Sequence, residues 1–217
     1  SIRRNTMENV KVALWGFGAM GSGIAKVLLR KKGVDIVGVC DIHPARVGKS
    51  IYELLDIERG EHPDVCVNPN IEEVVHDGNC DICVIATDSF TRKAFSKIKY
   101  VVEQNINVVS TAEEMSFPMA QEPELAAEMD KLAKEHGVSI LGTGINPGLM
   151  MDLLAICLSG CMTDVEKVTC RRVNSLSPFG PAVMEEQGVG LTVDAFNKGV
   201  QDGTLAGHVG FAESVGM

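Results

Sequence analysis

Gly16, Gly18 and Gly21 stand in the order Gly-x-Gly-x-x-Gly, within Gly16-Phe17-Gly18-Ala19-Met20-Gly21. Each glycine has its own use in such a motif. The first permits a sharp turn, the second lets a phosphate approach the backbone, and the third lets a helix lie close to a strand. The spacing alone recurs by chance, and its setting gives it weight. Val10 to Trp15 (VKVALW) is a short apolar run rich in branched residues, and Ala19 to Lys32 carries Ile24, Val27 and Leu28 at helical spacing. A glycine turn between strand and helix aims free amides and the positive end of the helix dipole at an anion. An acidic residue is expected about 20 positions further on, where it holds a ribose. Asp41 takes that place, directly after Val34 to Cys40 (VDIVGVC). Its carboxylate accepts from a 2′-hydroxyl and repels a 2′-phosphate, which favours NAD. Arg46 is the opposing signal, because it can hold that phosphate. The plainer reading of Asp41 is a brace for the loop leading to Pro44. Gly16, Phe17, Gly18, Ala19, Met20, Gly21, Asp41 and Arg46 are the candidate cofactor residues, with NAD expected and NADP the alternative.

The elements that must position these residues alternate strand and helix. Val34 to Cys40 reads as a strand, and Pro44 opens a helix through Leu55. Ile82 to Thr87 is a strand, Thr91 to Gln104 a helix, and Ile106 to Thr111 a strand. Pro123 starts a helix that ends at Gly137, and Val138 to Gly142 is a further strand. Strands that read as unbroken apolar runs are covered on both faces, the mark of a parallel sheet with helices on each side. The expected fold class is α/β, a doubly wound parallel sheet of Rossmann type over residues 7–146. Ligands bind beyond the carboxyl ends of such strands. Thr87 and Thr111 are therefore expected near the nicotinamide ribose, ordinary loop polarity being the other reading. After Asn146, Gly148 to Cys161 reads as an apolar helix, Val165 to Val173 alternates like a strand, and Ser175 to Gly190 is loop. Residues 147–217 are expected to begin an α+β substrate and dimerisation domain that is cut short. Residues 1–6 read as an expression remnant, with the natural start at Met7.

Composition narrows the function. The chain has 217 residues, 45% hydrophobic and 23% charged, with a formal net charge of −9. An acidic chain repels a phosphate polymer, so nucleic acid is not an expected partner. No apolar run approaches the roughly 20 residues that span a bilayer, and no export signal is seen. Seven cysteines without an export signal suit reduced thiols, and a cytoplasmic location is expected. Cys80 and Cys83 form a CxxC and Cys157 and Cys161 lie four apart, but no Cys or His cluster completes a metal set, so packing is the expected role.

Five segments together carry a resemblance: VKVALWGFGAMGSGIAKVLL, VVSTAEEM, GTGINPGLMMD, LTVDAFNKG and GHVGFAESVGM. With them the chain resembles the dihydrodipicolinate-reductase-like NAD(P)-dependent amine dehydrogenases from Val10 to Met217. The resemblance implies oxidative deamination of a small diamino acid. The implied substrate is 2,4-diaminopentanoate, deaminated at C4 to give 2-amino-4-oxopentanoate, ammonia and NAD(P)H in ornithine degradation. Dihydrodipicolinate reductases carry a paired-histidine motif with a nearby lysine, and here His208 is the only histidine after Asn146. Related two-domain dehydrogenases are often homodimers, so a homo-oligomer is expected.

Amine oxidation requires an oriented neutral amine and a proton acceptor. The candidate catalytic residues are Glu113, with Glu114 beside it, His208 and Asn146; Glu185, Glu186 and Glu213 are weaker candidates. Glu113 and Glu114 follow a strand end, where one of them can meet an ammonium. Asn146, in Asn146-Pro147-Gly148, is either a helix cap or part of an anion site. Two other functions share these features: an imine reductase running the same hydride chemistry in reverse, and a dinucleotide sensor without catalysis.

Overall fold

The computed structural model describes residues 8–173, 175–176, 184–185, 187–202 and 204–205. The six N-terminal residues read as a remnant, and His208, Glu186 and Glu213, lie outside the described residues. A six-stranded sheet organises the first two-thirds of the chain. Its strands are β1 Val10–Trp15, β2 Val34–Cys40, β3 Val67–Asn68, β4 Ile82–Ile85, β5 Asn107–Ser110 and β6 Ile140–Gly142. They lie in the order β3-β2-β1-β4-β5-β6, and each pairs in parallel with its neighbour. This is the strand order of a dinucleotide-binding Rossmann sheet, whose ligand crevice opens where the order reverses between β1 and β4.

Alternation along β1 divides the core. Val12 and Leu14 face a cluster with Ala25, Ile51, Tyr52 and Leu55, while Ala13 faces Ala94, Ile98, Val101, Val102 and Met129. Helices α1 (Ala19–Leu28) and α2 (Ile51–Leu55) supply the first set, and α4 (Thr91–Glu103) and α5 (Pro123–His136) the second. The short helix α3 (Ile71–Val74) seats Val74 against Gly38 of β2, where a Cβ would come 2.8 Å from Val74 Cγ1. Edge-to-face contact between Trp15 and Tyr100, centroids 6.0 Å apart, ties β1 to α4.

Three expectations need correction. The helix expected from Pro44 to Leu55 is only α2, Ile51–Leu55. Gly48 at φ 78° breaks the turn after Pro44, and Ser50 Oγ accepts from the Tyr52 amide to start the helix anew. The helix expected from Gly148 is α6, Leu153–Ser159, preceded by a turn. Residues 165–173, expected as a strand, form no strand among the described residues. β3, α3 and the later helix α7, Val193–Asp202, are elements beyond those expected from the sequence.

The cysteines divide. Cys40, Cys80 and Cys83 are buried in the sheet core, where burial pushes the Cys40 and Cys80 thiols up to about 11 and raises that of Cys83 well above its ordinary value. Cys157 and Cys161 are exposed, so packing does not account for that pair. Among the described residues no helix is long and apolar enough to cross a membrane.

Candidate functional site

The site gathers at the carboxyl ends of β1, β2, β4 and β5. Gly16 ends β1 at φ 100°, a backbone region open to glycine, and a Cβ there would come 2.8 Å from both Ala86 O and Thr87 Cγ2. A Cβ on Gly21 would strike the carbonyl of Gly16, so this glycine lets α1 fold back onto its own loop. Gly18, the residue preceding α1, is different: a Cβ there would meet no protein atom within 4 Å. The loop is thus crowded inside and open outside, at the end of a ten-residue helix whose first amides lack intrahelical partners. That shape fits a dinucleotide pyrophosphate.

Asp41 holds the loop from the next strand. One carboxylate oxygen accepts the Phe17 amide at 2.7 Å and the other accepts the His43 amide at 2.8 Å. The Arg46 guanidinium lies 3.2 and 3.3 Å from the two oxygens. Burial pushes the Asp41 carboxyl up, but the two amides and Arg46 outweigh it and hold it below the ordinary value. The brace reading of Asp41 is therefore real, and Arg46 is its partner.

A recess of about 330 Å³ opens beside this loop, lined by Met20, Thr87, Phe90, Lys93, Thr111 and Glu113 among others. Thr87 donates to Asp88, whose carboxylate also receives Lys97 Nζ at 2.7 Å. Burial raises the Asp88 carboxyl, and the bonds from Lys97 and Thr87 more than offset it, leaving it below the ordinary value. The Thr111 hydroxyl turns back toward the Ile85 carbonyl at 3.4 Å. The two adjacent glutamates separate. Glu114 accepts the Thr91 amide at 2.8 Å and so ties the start of α4 to the turn after β5, while Glu113 lines the recess.

Asn146 does not cap α6. Asp152 does: its carboxylate accepts the Leu153 amide at 2.7 Å and the Gly148 amide at 2.6 Å, and the residue is buried. An aspartate directly before the apolar run LLAICLS is the sequence signal for this cap, which the Asn-Pro-Gly turn a few residues earlier obscures. Pro147 follows a cis peptide bond and is not in a first helical turn. Both polar atoms of the Asn146 side chain are buried without a hydrogen-bond partner among the described residues. Glu185 is exposed, apart from the recess-lining residues.

Comparison with known proteins assigns both parts of the chain. The family model described as oxidoreductase family, NAD-binding Rossmann fold, matches residues 10–143. The model described as 2,4-diaminopentanoate dehydrogenase C-terminal domain matches residues 149–217. The chain is 61% identical over 211 residues to the curated 2,4-diaminopentanoate dehydrogenase of Acetoanaerobium sticklandii, covering 97% of this chain and 59% of that protein. The solved amine dehydrogenase from Mycobacterium smegmatis is 32% identical with a TM-score of 0.73, over 89% of this chain and 56% of that one. GenD2 from gentamicin A biosynthesis, solved in complex with NAD, is 24% identical with a TM-score of 0.52, over 70% of this chain and 39% of that one, a likeness of fold. The chain thus spans 59% of the length of the curated relative and 56% of the amine dehydrogenase structure. It belongs to the oxidoreductase family with an NAD-binding Rossmann fold.

Proposed function

We propose that the protein oxidatively deaminates a small diamino acid, 2,4-diaminopentanoate, with NAD. The carrying observation is the recess at the ends of β1, β4 and β5, which adjoins the glycine loop and brings Lys93 and Glu113 into one lining. The relative from Acetoanaerobium sticklandii supports the substrate. The glycine loop Gly16 to Gly21 and Asp41 would hold NAD, which would supply the acceptor for a hydride from the carbon that carries the amine. The chain's part is to orient that amine and remove its proton. Glu113 is the proposed acceptor, placed in the lining of the recess. Asn146, with two unpartnered amide atoms, supplies further hydrogen bonds to the substrate. Thr87 and Thr111 line the nicotinamide end, and His208 is retained as an acid or base from the sequence reading. Asp41 favours NAD over NADP, with Arg46 at its side.

The same reading places an α/β cofactor domain at residues 7–146 and the start of a substrate and dimerisation domain at 147–217. It makes the protein a cytoplasmic homo-oligomer, supported by reduced cysteines and by the exposed Leu153, Leu154, Ile156 and Leu158 of α6. The test is NADH absorbance on mixing protein, NAD and 2,4-diaminopentanoate, beside a panel of other small amines. Steady NADH formation from the diamino acid is expected. NADH formation from none of the panel overturns the reading.

A further inference from the structure

The recess holds a cation that the reaction chemistry above does not use. Lys93 stands one turn into α4, and its side chain lines the same recess as Thr87, Thr111 and Glu113. Its Nζ lies 5.1 Å from the centroid of the Phe90 ring, itself part of the lining, so the aromatic face steadies the ammonium there. The neighbouring lysine, Lys97, is engaged with Asp88 at 2.7 Å. Asp88 therefore has its direct counter-charge in Lys97, and Lys93 acts on it only as a more distant charge. Among the described residues Lys93 makes no ion pair, although the lining also carries two carboxylates.

A substrate with a carboxylate entering such a recess meets Asp88 and Glu113, and its own negative charge is opposed unless a cation faces it. Lys93 is that cation. We propose that Lys93 binds the α-carboxylate of the substrate and so selects amino acids over plain amines at this site. The proposal rests on the amine-oxidising reading and names the residue that distinguishes substrate classes within it. A lysine serves as a point charge with three donors, and arginine in its place keeps the charge and the ring contact.

The experiment compares wild type with Lys93→Met and Lys93→Arg, using 2,4-diaminopentanoate and butane-1,3-diamine, the same skeleton without the carboxylate. Dissociation constants are measured by calorimetry on the NADH-bound protein, and KM and kcat by NADH formation. Lys93→Met should weaken binding and raise KM for the diamino acid by roughly 10- to 100-fold, with kcat within about twofold. The diamine should bind both proteins alike, and Lys93→Arg should recover most of the loss. An equal effect on both compounds, or no effect on either, overturns the proposal while leaving the proposed function standing. Wild type that binds the diamino acid through Lys93 without oxidising it overturns the function and keeps the carboxylate site. Wild type that binds neither compound overturns both.

Discussion

Two strand-to-helix turns in this chain use the same device for different ends. After β1, Gly16-Phe17-Gly18 is held by Asp41, which reaches across from the end of β2 to take the Phe17 amide. After β6, the turn at residues 143–152 is held by Asp152, which takes the Gly148 and Leu153 amides within its own segment. The first brace is long-range and carries an ion pair with Arg46; the second caps α6. Their surroundings differ as well. The first turn sits on a sheet packed on both faces, with Leu14, Ile36 and Ile85 fully buried. The second leads into α6, where Leu153, Leu154, Ile156 and Leu158 are exposed. A carboxylate that ties one strand end to the next fixes a loop for a ligand, whereas one that caps its own helix fixes where the helix starts.

The sharpest break of that comparison lies inside the first turn. Gly21→Val drives a side chain into the Gly16 carbonyl and should unfold or severely destabilise the sheet, seen as loss of a cooperative thermal transition. Gly18→Val faces open space. It should keep the melting temperature within a few degrees, yet weaken NAD by at least about 100-fold, near 3 kcal/mol, because the side chain occupies the pyrophosphate approach. Retained NAD affinity in Gly18→Val would remove the phosphate site from this loop.

The sheet was legible because its strands are apolar runs that read the same in any context, and because the glycine spacing, the strand before it and the acid after it agree. Thr87 and Glu113 could be placed at strand ends for the same reason. What escaped the sequence had a physical cause in each case. β3 spans two residues, too few to show a period. Residues 165–173 alternate in polarity, but alternation makes a strand only where an edge is available to pair with. The division of labour between Glu113 and Glu114 depends on the amide of Thr91, which is distant in sequence. Lys93 is an exposed helical lysine in the sequence, and only the recess gives it a role.

Asparagine substitutions sharpen the contrast between the braces. Asp41→Asn keeps one acceptor oxygen where two are used and discards the Arg46 pair, so it should lower stability by about 2 kcal/mol. Asp152→Asn loses one amide bond and should lower it by about 1 kcal/mol. The difference should depend on pH in one direction. Asp41 is held below its ordinary value in the folded protein, so its contribution is present above the unfolded value, near 4, and fades as pH falls through the folded value. Urea unfolding of wild type and Asp41→Asn should therefore converge as pH falls below about 4. A gap that is constant through acid would show that the charge of Asp41 contributes nothing.

Arg46→Ala should have the smallest effect on stability and decides what the arginine is for. Its side chain is 32% exposed while that of Asp41 is 10% exposed, so solvent and salt screen the pair. Asp41 also keeps both amide bonds when Arg46 is gone. A loss below about 1 kcal/mol follows, shrinking further in high salt. Cofactor binding carries more information than the melting curve. If Arg46 serves only Asp41, NAD and NADP should each bind the variant within about twofold of wild type. If the guanidinium also turns outward to a 2′-phosphate, NADP alone should weaken, by roughly 10-fold for one charge-assisted contact. Titration of both cofactors against both proteins separates these. A fall in NAD affinity as large as that of Asp41→Asn would mean that Arg46, and not the carboxylate with its two amides, keeps the glycine loop in shape.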